Sequence, residues 1–145
     1  MSETDLIKLY SRRILALAAD IPHAERLTAP TVSATCRAPL CGSTVTVDLV
    51  LGADGRIADF GQEVRACALG QASAAIAGGL MQGQDHAGVT LARDQLAAML
   101  QNGAPAPAAP FDGYEVLRPA RDYNNRHASI LLVLDATLAA FAKTP

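Results

Sequence analysis

The run Thr44-Val45-Thr46-Val47-Asp48-Leu49-Val50-Leu51 alternates polar and apolar side chains so regularly that it leaves little choice of local structure. Successive side chains of an extended chain point to opposite faces, so Val45, Val47, Leu49 and Leu51 line one side of a strand. Gly52-Ala53-Asp54-Gly55 then has the chemistry of a turn, and Arg56 to Ala66 reads as a second extended arm. A β-hairpin follows, together with a sheet face that must be covered. Gly61 interrupts the second arm and predicts a bulge or bend there. A weaker first strand is expected around Thr31 to Cys36.

The remaining segments read as helices that can supply the cover. From Thr4 to about Ala19, Leu6, Leu9, Tyr10, Ile14 and Leu17 recur at helical spacing, with Ser2 or Thr4 as a cap and Pro22 beyond the end. Cys67 opens an Ala-rich helix reaching about Leu80, whose small side chains permit close approach to a neighbour. Gly78 and Gly79 mark its fraying end or a close contact. Another helix is expected over about Leu91 to Gln101, stopped by Asn102-Gly103. Residues 102–114 predict an extended or irregular Pro/Ala-rich connector, because Pro105, Pro107 and Pro110 cannot continue a helix. The final helix, about Asn124 to Ala142, carries Ile130, Leu131, Leu134, Leu138 and Phe141 on one stripe, and His127 falls on that stripe one turn earlier, facing inward. The expected fold is α+β and a single domain over 1–145: an N-terminal helix, a small, mainly antiparallel three-stranded sheet, and helices packed on one face.

With 145 residues, half of them apolar, the chain can build one core. A net charge of -2 with scattered Lys and Arg lacks the basic footprint of a nucleic-acid binder. No apolar run approaches the roughly 18 residues of a membrane span, and Met1 to Asp5 lacks a signal-peptide start. A cytoplasmic protein bound to neither membrane nor nucleic acid is expected. Three cysteines in such a compartment read as free thiols or ligands, not bridges.

Cys41, Cys67 and His127 stand at the edges of predicted elements, where a side chain can reach a shallow site. A helix N-terminus favours the thiolate form of a cysteine. Each also has a structural reading, as a small buried hydrophobe or a hydrogen-bonded imidazole. Cys36, in a weakly patterned segment, reads as structural, and His23 and His86 as surface residues. Cys67 with His127 forms a thiol-imidazole alternative for nucleophilic catalysis, although neither an orienting carboxylate nor an oxyanion hole is assignable.

Pro39-Leu40-Cys41-Gly42, the hairpin after it, Ala66-Cys67-Ala68-Leu69 and Arg126-His127-Ala128-Ser129-Ile130-Leu131 together resemble the iron-sulfur cluster assembly scaffolds of the IscU/NifU-like, SufU-containing family. The resemblance covers nearly the whole chain and includes a Tyr, here Tyr10, in the first helix. It implies a scaffold or carrier that binds iron or a labile cluster through Cys41 and Cys67, with zinc as an alternative occupant. His127 becomes the third ligand, whether it replaces the family's third Cys or is the His adjacent to it. Ser43 stands where the family has Asp, and an imidazole cannot carry the persulfide that the third Cys receives in some members. The fourth position is open to Cys36, Ser43, water or a partner residue. Implied partners are a cysteine desulfurase or other sulfur donor, and apo iron-sulfur acceptor proteins. A zinc-binding or metal-free module that docks on the assembly machinery is the other reading.

Overall fold

Pairing in the sheet follows the alternation. The computed structural model describes residues 11–144, in which β1 (Val32–Arg37), β2 (Thr44–Leu51) and β3 (Ile57–Arg65) form an antiparallel sheet in that order. Val45, Val47 and Leu49 are buried on one face beside Val32, Ala34 and Phe60. Gly61 does not make the expected bulge: it pairs regularly with Asp48, and the irregularity lies at Val50/Leu51, next to the turn. The glycine serves another purpose. A Cβ there would collide with the Glu25 carbonyl oxygen and stand 2.9 Å from Leu27 Cγ, so its absence lets residues 25–27 lie on the sheet.

The helices are α1 (Arg12–Ala19), α2 (Ala68–Gly78), α3 (His86–Asn102) and α4 (Asn124–Phe141), with a 3-10 segment over Phe111–Asp122. Of the first helix, the expected caps and Leu6, Leu9 and Tyr10 lie outside the described residues. Within them, the Ser11 hydroxyl accepts from the Ile14 amide at 3.3 Å, and Ile14 is buried. Gly78 of α2 is a close contact, since a Cβ there would meet Gln62 Nε2 at 2.5 Å. α3 begins earlier than Leu91 because Asp85 caps it, accepting from the Gly88 amide at 2.8 Å, and it ends at Gly103 in a left-handed conformation with φ of 69°. The connector is shorter than 102–114: Phe111, Tyr114 and Leu117 are buried, which pulls its last residues into the 3-10 segment.

α4 is less one-sided than its stripe suggested. It packs against β1 and β2 on one side and against α2 and α3 on others, so Ser129 to Leu134 are buried without interruption. Polar groups inside this packing are satisfied locally: Ser73 donates to the Ile130 carbonyl at 2.5 Å, and Tyr114 donates to the Ser73 carbonyl at 3.0 Å. Burial raises the Tyr114 hydroxyl far above the ordinary tyrosine range, while its bond with Ser73 pulls the other way.

The opposite sheet face is closed by the segment between α1 and β1. Asp48, fully buried, accepts from Arg26 Nε at 2.7 Å, Arg26 Nη2 at 3.0 Å, the Leu27 amide at 2.9 Å and the Ser33 hydroxyl. Burial alone pushes its carboxyl up, but the bonds from Arg26, Ser33 and Leu27 and the Arg26 charge outweigh it and hold it below the ordinary range. The folded state therefore binds this proton less tightly than the unfolded chain. Asp48 contributes stability that is complete above the ordinary carboxylate value of about 4 and is lost as pH falls through the lower folded value. Asp48→Asn should cost on the order of 2 kcal/mol near neutral pH, the scale of hydrogen bonds to a buried charged group. In urea unfolding the gap between the two proteins should shrink as the pH is taken below 4, and a constant gap would contradict the assignment.

Candidate functional site

The tip between β1 and β2 turns tightly: Ala38 N–H donates to the Ser43 carbonyl at 2.8 Å and Gly42 N–H to the Ala38 carbonyl at 2.9 Å. Gly42 has φ of 73°, a region that favours glycine. Leu40, Cys41 and Gly42 are left exposed, whereas Ser43 turns inward. Cys67 is the residue just before α2, with extended backbone and no side-chain cap. One turn into α2, a Cβ on Gly70 would stand 2.5 Å from Ser129 Oγ and 2.8 Å from the Ala66 Cβ. This glycine therefore lets the start of α4 reach the start of α2.

Four side chains meet as a result. Cys41 Sγ is 3.0 Å from Ser43 Oγ, Ser129 Oγ donates to Ser43 Oγ at 3.2 Å, and Cys67 Sγ is 3.5 Å from Ser129 Oγ. A hydroxyl has one proton to donate. With Ser129 donating to Ser43, the Ser43 proton is directed at Cys41, and Ser129 accepts from the Cys67 thiol. The row thus favours thiolate at Cys41. The Ser43 hydroxyl holds the Cys41 thiol below its ordinary range; partial burial opposes it, and the Ser43 amide and its own amide add to the lowering.

His127 is not part of this group. Its ring is buried, as its stripe predicts, but Nε2 lies 3.1 Å from the Ala120 carbonyl and 2.9 Å from that of Arg121. Carbonyls only accept, so Nε2 carries the proton, and Nδ1 is the nitrogen of the neutral ring that holds a lone pair. His127 and Ala128 line a separate hollow with Arg93, Asn124 and Asp135. Among the described residues no three His, Cys, Asp or Glu side chains are placed to hold a metal ion. The expected convergence of Cys41, Cys67 and His127 is therefore corrected: the structure joins the two thiols through Ser43 and Ser129 and leaves the imidazole on another side of α4. Residues two apart on a helix differ by about 200° in direction, so His127 and Ser129 face nearly opposite ways.

Cys36 sits on the sheet face packed against the core, paired with Val45. Burial pushes its thiol up, the Asp135 charge adds to this, and Lys143 opposes it. His86 lies edge-on to Phe141 with ring centres 5.5 Å apart, and His23 edge-on to Phe60 at 6.4 Å. Arg121 lies against Gly103 at the end of α3, and Arg65 is an exposed partner of Glu63 at 3.6 Å.

Solved structures give the comparison. The N-terminal part of a nitrogen-fixing NifU-like protein from Brucella abortus superposes with a TM-score of 0.91 at 39% identity, over 95% of each chain. This chain belongs to the NifU-like N-terminal family. The fold is shared at 17% identity with a putative iron-sulfur cluster assembly scaffold protein for the SUF system from Fervidobacterium islandicum, with a TM-score of 0.83 over 93% of this NifU-like chain and 98% of the other. A protein described as hypothetical has a TM-score of 0.70 at 17% identity, over 94% and 99% of the two chains. No protein-family model matches the sequence, and no curated protein matches it.

The two thiol environments predict different reactivity. Cys41 should be alkylated by iodoacetamide faster than Cys36, and the increase of its rate with pH should begin at a lower pH, as peptide mapping over a pH series would show. Ser43→Ala should move the Cys41 profile to higher pH and slow its alkylation severalfold at neutral pH. Equal profiles for the two thiols would contradict the hydrogen-bonded row.

Proposed function

We propose that this NifU-like protein is an iron-sulfur cluster assembly scaffold or carrier that binds iron or a cluster through Cys41 and Cys67 and passes it to acceptor proteins. The observation that carries this reading is the joining of those two thiols at the start of α2, in a chain 39% identical to a NifU-like protein over nearly its whole length. Thiolates suit iron-sulfur clusters, and an exposed ligand such as Cys41 suits cargo that must leave again. The cargo is a substrate here, supplied with sulfur by a cysteine desulfurase or another donor and taken up by apo iron-sulfur proteins. Among the described residues no helix is long and apolar enough to cross a membrane.

A second reading is a zinc-binding or metal-free module that docks on the assembly machinery, for which the exposed Leu40 beside Cys41 offers an apolar contact. A Cys67–His127 catalytic pair gains nothing from the geometry, since Cys67 Sγ meets Ser129 and the protonated His127 nitrogen meets backbone carbonyls. His127 holds the end of the 3-10 segment to the start of α4; as a ligand it would act through Nδ1.

Anaerobic reconstitution with iron and sulfide separates the readings. Cys41→Ala and Cys67→Ala should each lower cluster content about tenfold or more, a loss of roughly 1.4 kcal/mol in binding. His127→Ala should keep most of the cluster while destabilising the fold by about 1 kcal/mol, the scale of a lost buried hydrogen bond. A loss of cluster in His127→Ala as severe as in the cysteine variants would return the imidazole to the ligand set, and retained zinc without cluster uptake would favour the docking module. Lower pH should weaken binding as the thiolates protonate.

A further inference from the structure

The group at the start of α2 holds two sulfur donors and two alcohols. A cluster of two irons and two sulfides takes four protein donors, and a tetrahedral ion likewise takes four. Ser43 and Ser129 are 4% and 1% exposed, and their protons and lone pairs are engaged with one another and with the sulfurs. A neutral alcohol is a poor ligand for iron that thiolate binds well. Cys36 is no substitute, because it faces the core and joins no group of three ligands among the described residues. The described chain thus brings half a ligand set to one place. Its outer side is open: Cys41 is exposed, and Leu40 beside it is 79% exposed.

We propose that the two positions this chain leaves open are filled by thiolate sulfurs from outside it, so that cluster binding requires an external thiol. The inference rests on the scaffold reading and adds to it a co-ligand of stated chemistry. Each incoming thiol binds as its thiolate, gives one proton to solvent, and displaces water or another weak ligand without a change of oxidation state. Two sources share this chemistry. A small thiol such as glutathione gives one chain and two thiols per cluster; the Cys41 and Cys67 pair of a second copy gives two chains and no small thiol.

The test uses the full chain, freed of metal and kept reduced by a phosphine in place of a thiol. Iron and sulfide are supplied anaerobically, with or without millimolar glutathione. Absorption, iron, sulfide and retained glutathione are measured, together with the intact mass under native conditions. The expected result is loading that rises about tenfold or more with glutathione, equivalent to roughly 1.4 kcal/mol, with two glutathiones retained per cluster. Loading without glutathione, in a species of two chains sharing one cluster, supports the same proposal and names the second copy as the source. Ser43→Asp places an anionic oxygen beside the Cys41 sulfur, and Ser43→Cys with Ser129→Cys places two more sulfurs in the row; in either variant, shown to be folded by circular dichroism, the thiol requirement should weaken. A single chain that loads fully without glutathione overturns the inference and leaves the scaffold reading intact. Failure to load under every condition overturns both.

Discussion

Burial of α4 is the constraint on which the remaining structure depends. A helix covered by the sheet on one side and by α2 and α3 on others cannot leave a polar side chain unpartnered on those sides without a cost of about 1–3 kcal/mol. Its polar residues are therefore each matched to a neighbour: His127 to two carbonyls of the 3-10 segment, Ser129 to Ser43 and Cys67, and Thr137 to its own helix through the Val133 carbonyl. The same requirement explains why α2 is built from small residues. Gly70 and Gly78 stand where a methyl group would strike Ser129 or Gln62, so the helix can come close enough for Cys67 to meet Ser129 and for Gln62 Nε2 to donate to the Ala74 carbonyl.

Most of the framework is legible in the chain because it is local. The alternation from Thr44 to Leu51 defines β2 to the residue, and the final helix runs within a residue of its expected end. What escapes is what depends on the second partner. Asp48 reads as an outward polar residue of a strand, and nothing in the alternation says that Arg26 and Leu27 will cover it. Gly61 reads as a bulge, but the reason for a glycine there lies in residues 25–27. The early start of α3 was signalled by Asp85, an acceptor placed before His86-Ala87-Gly88, yet the apolar spacing becomes clear only from Leu91.

The candidate site was legible in its sulfurs and less so in its oxygens. Cys41 and Cys67 attract notice as rare and chemically distinctive residues. Ser129 is an unremarkable residue type in a helix full of apolar ones, and its role follows only when α4 is seen to be buried on two sides, so that His127 and Ser129 both point inward in different directions. Cys41 and Cys36 are separated by surroundings, not by residue type: hydroxyls and amides beside Cys41 favour its thiolate, whereas burial against the apolar face around Cys36 penalises it.

Cys67 and Ser129 are 62 residues apart along the chain, and Ser43 and Ser129 are 86 apart. Such a site has no local precursor: it exists only while hairpin tip, α2 and α4 remain docked, and loosening any one of them disperses the donors together. On the proposed reading, an ion or cluster held between Cys41 and Cys67 would act in return as a removable cross-link between the sheet and α2, tightening the fold when it arrived and relaxing it on departure. The loaded and empty forms would then differ in rigidity as well as in content, which gives any protein that grips this region a mechanical means of telling one from the other.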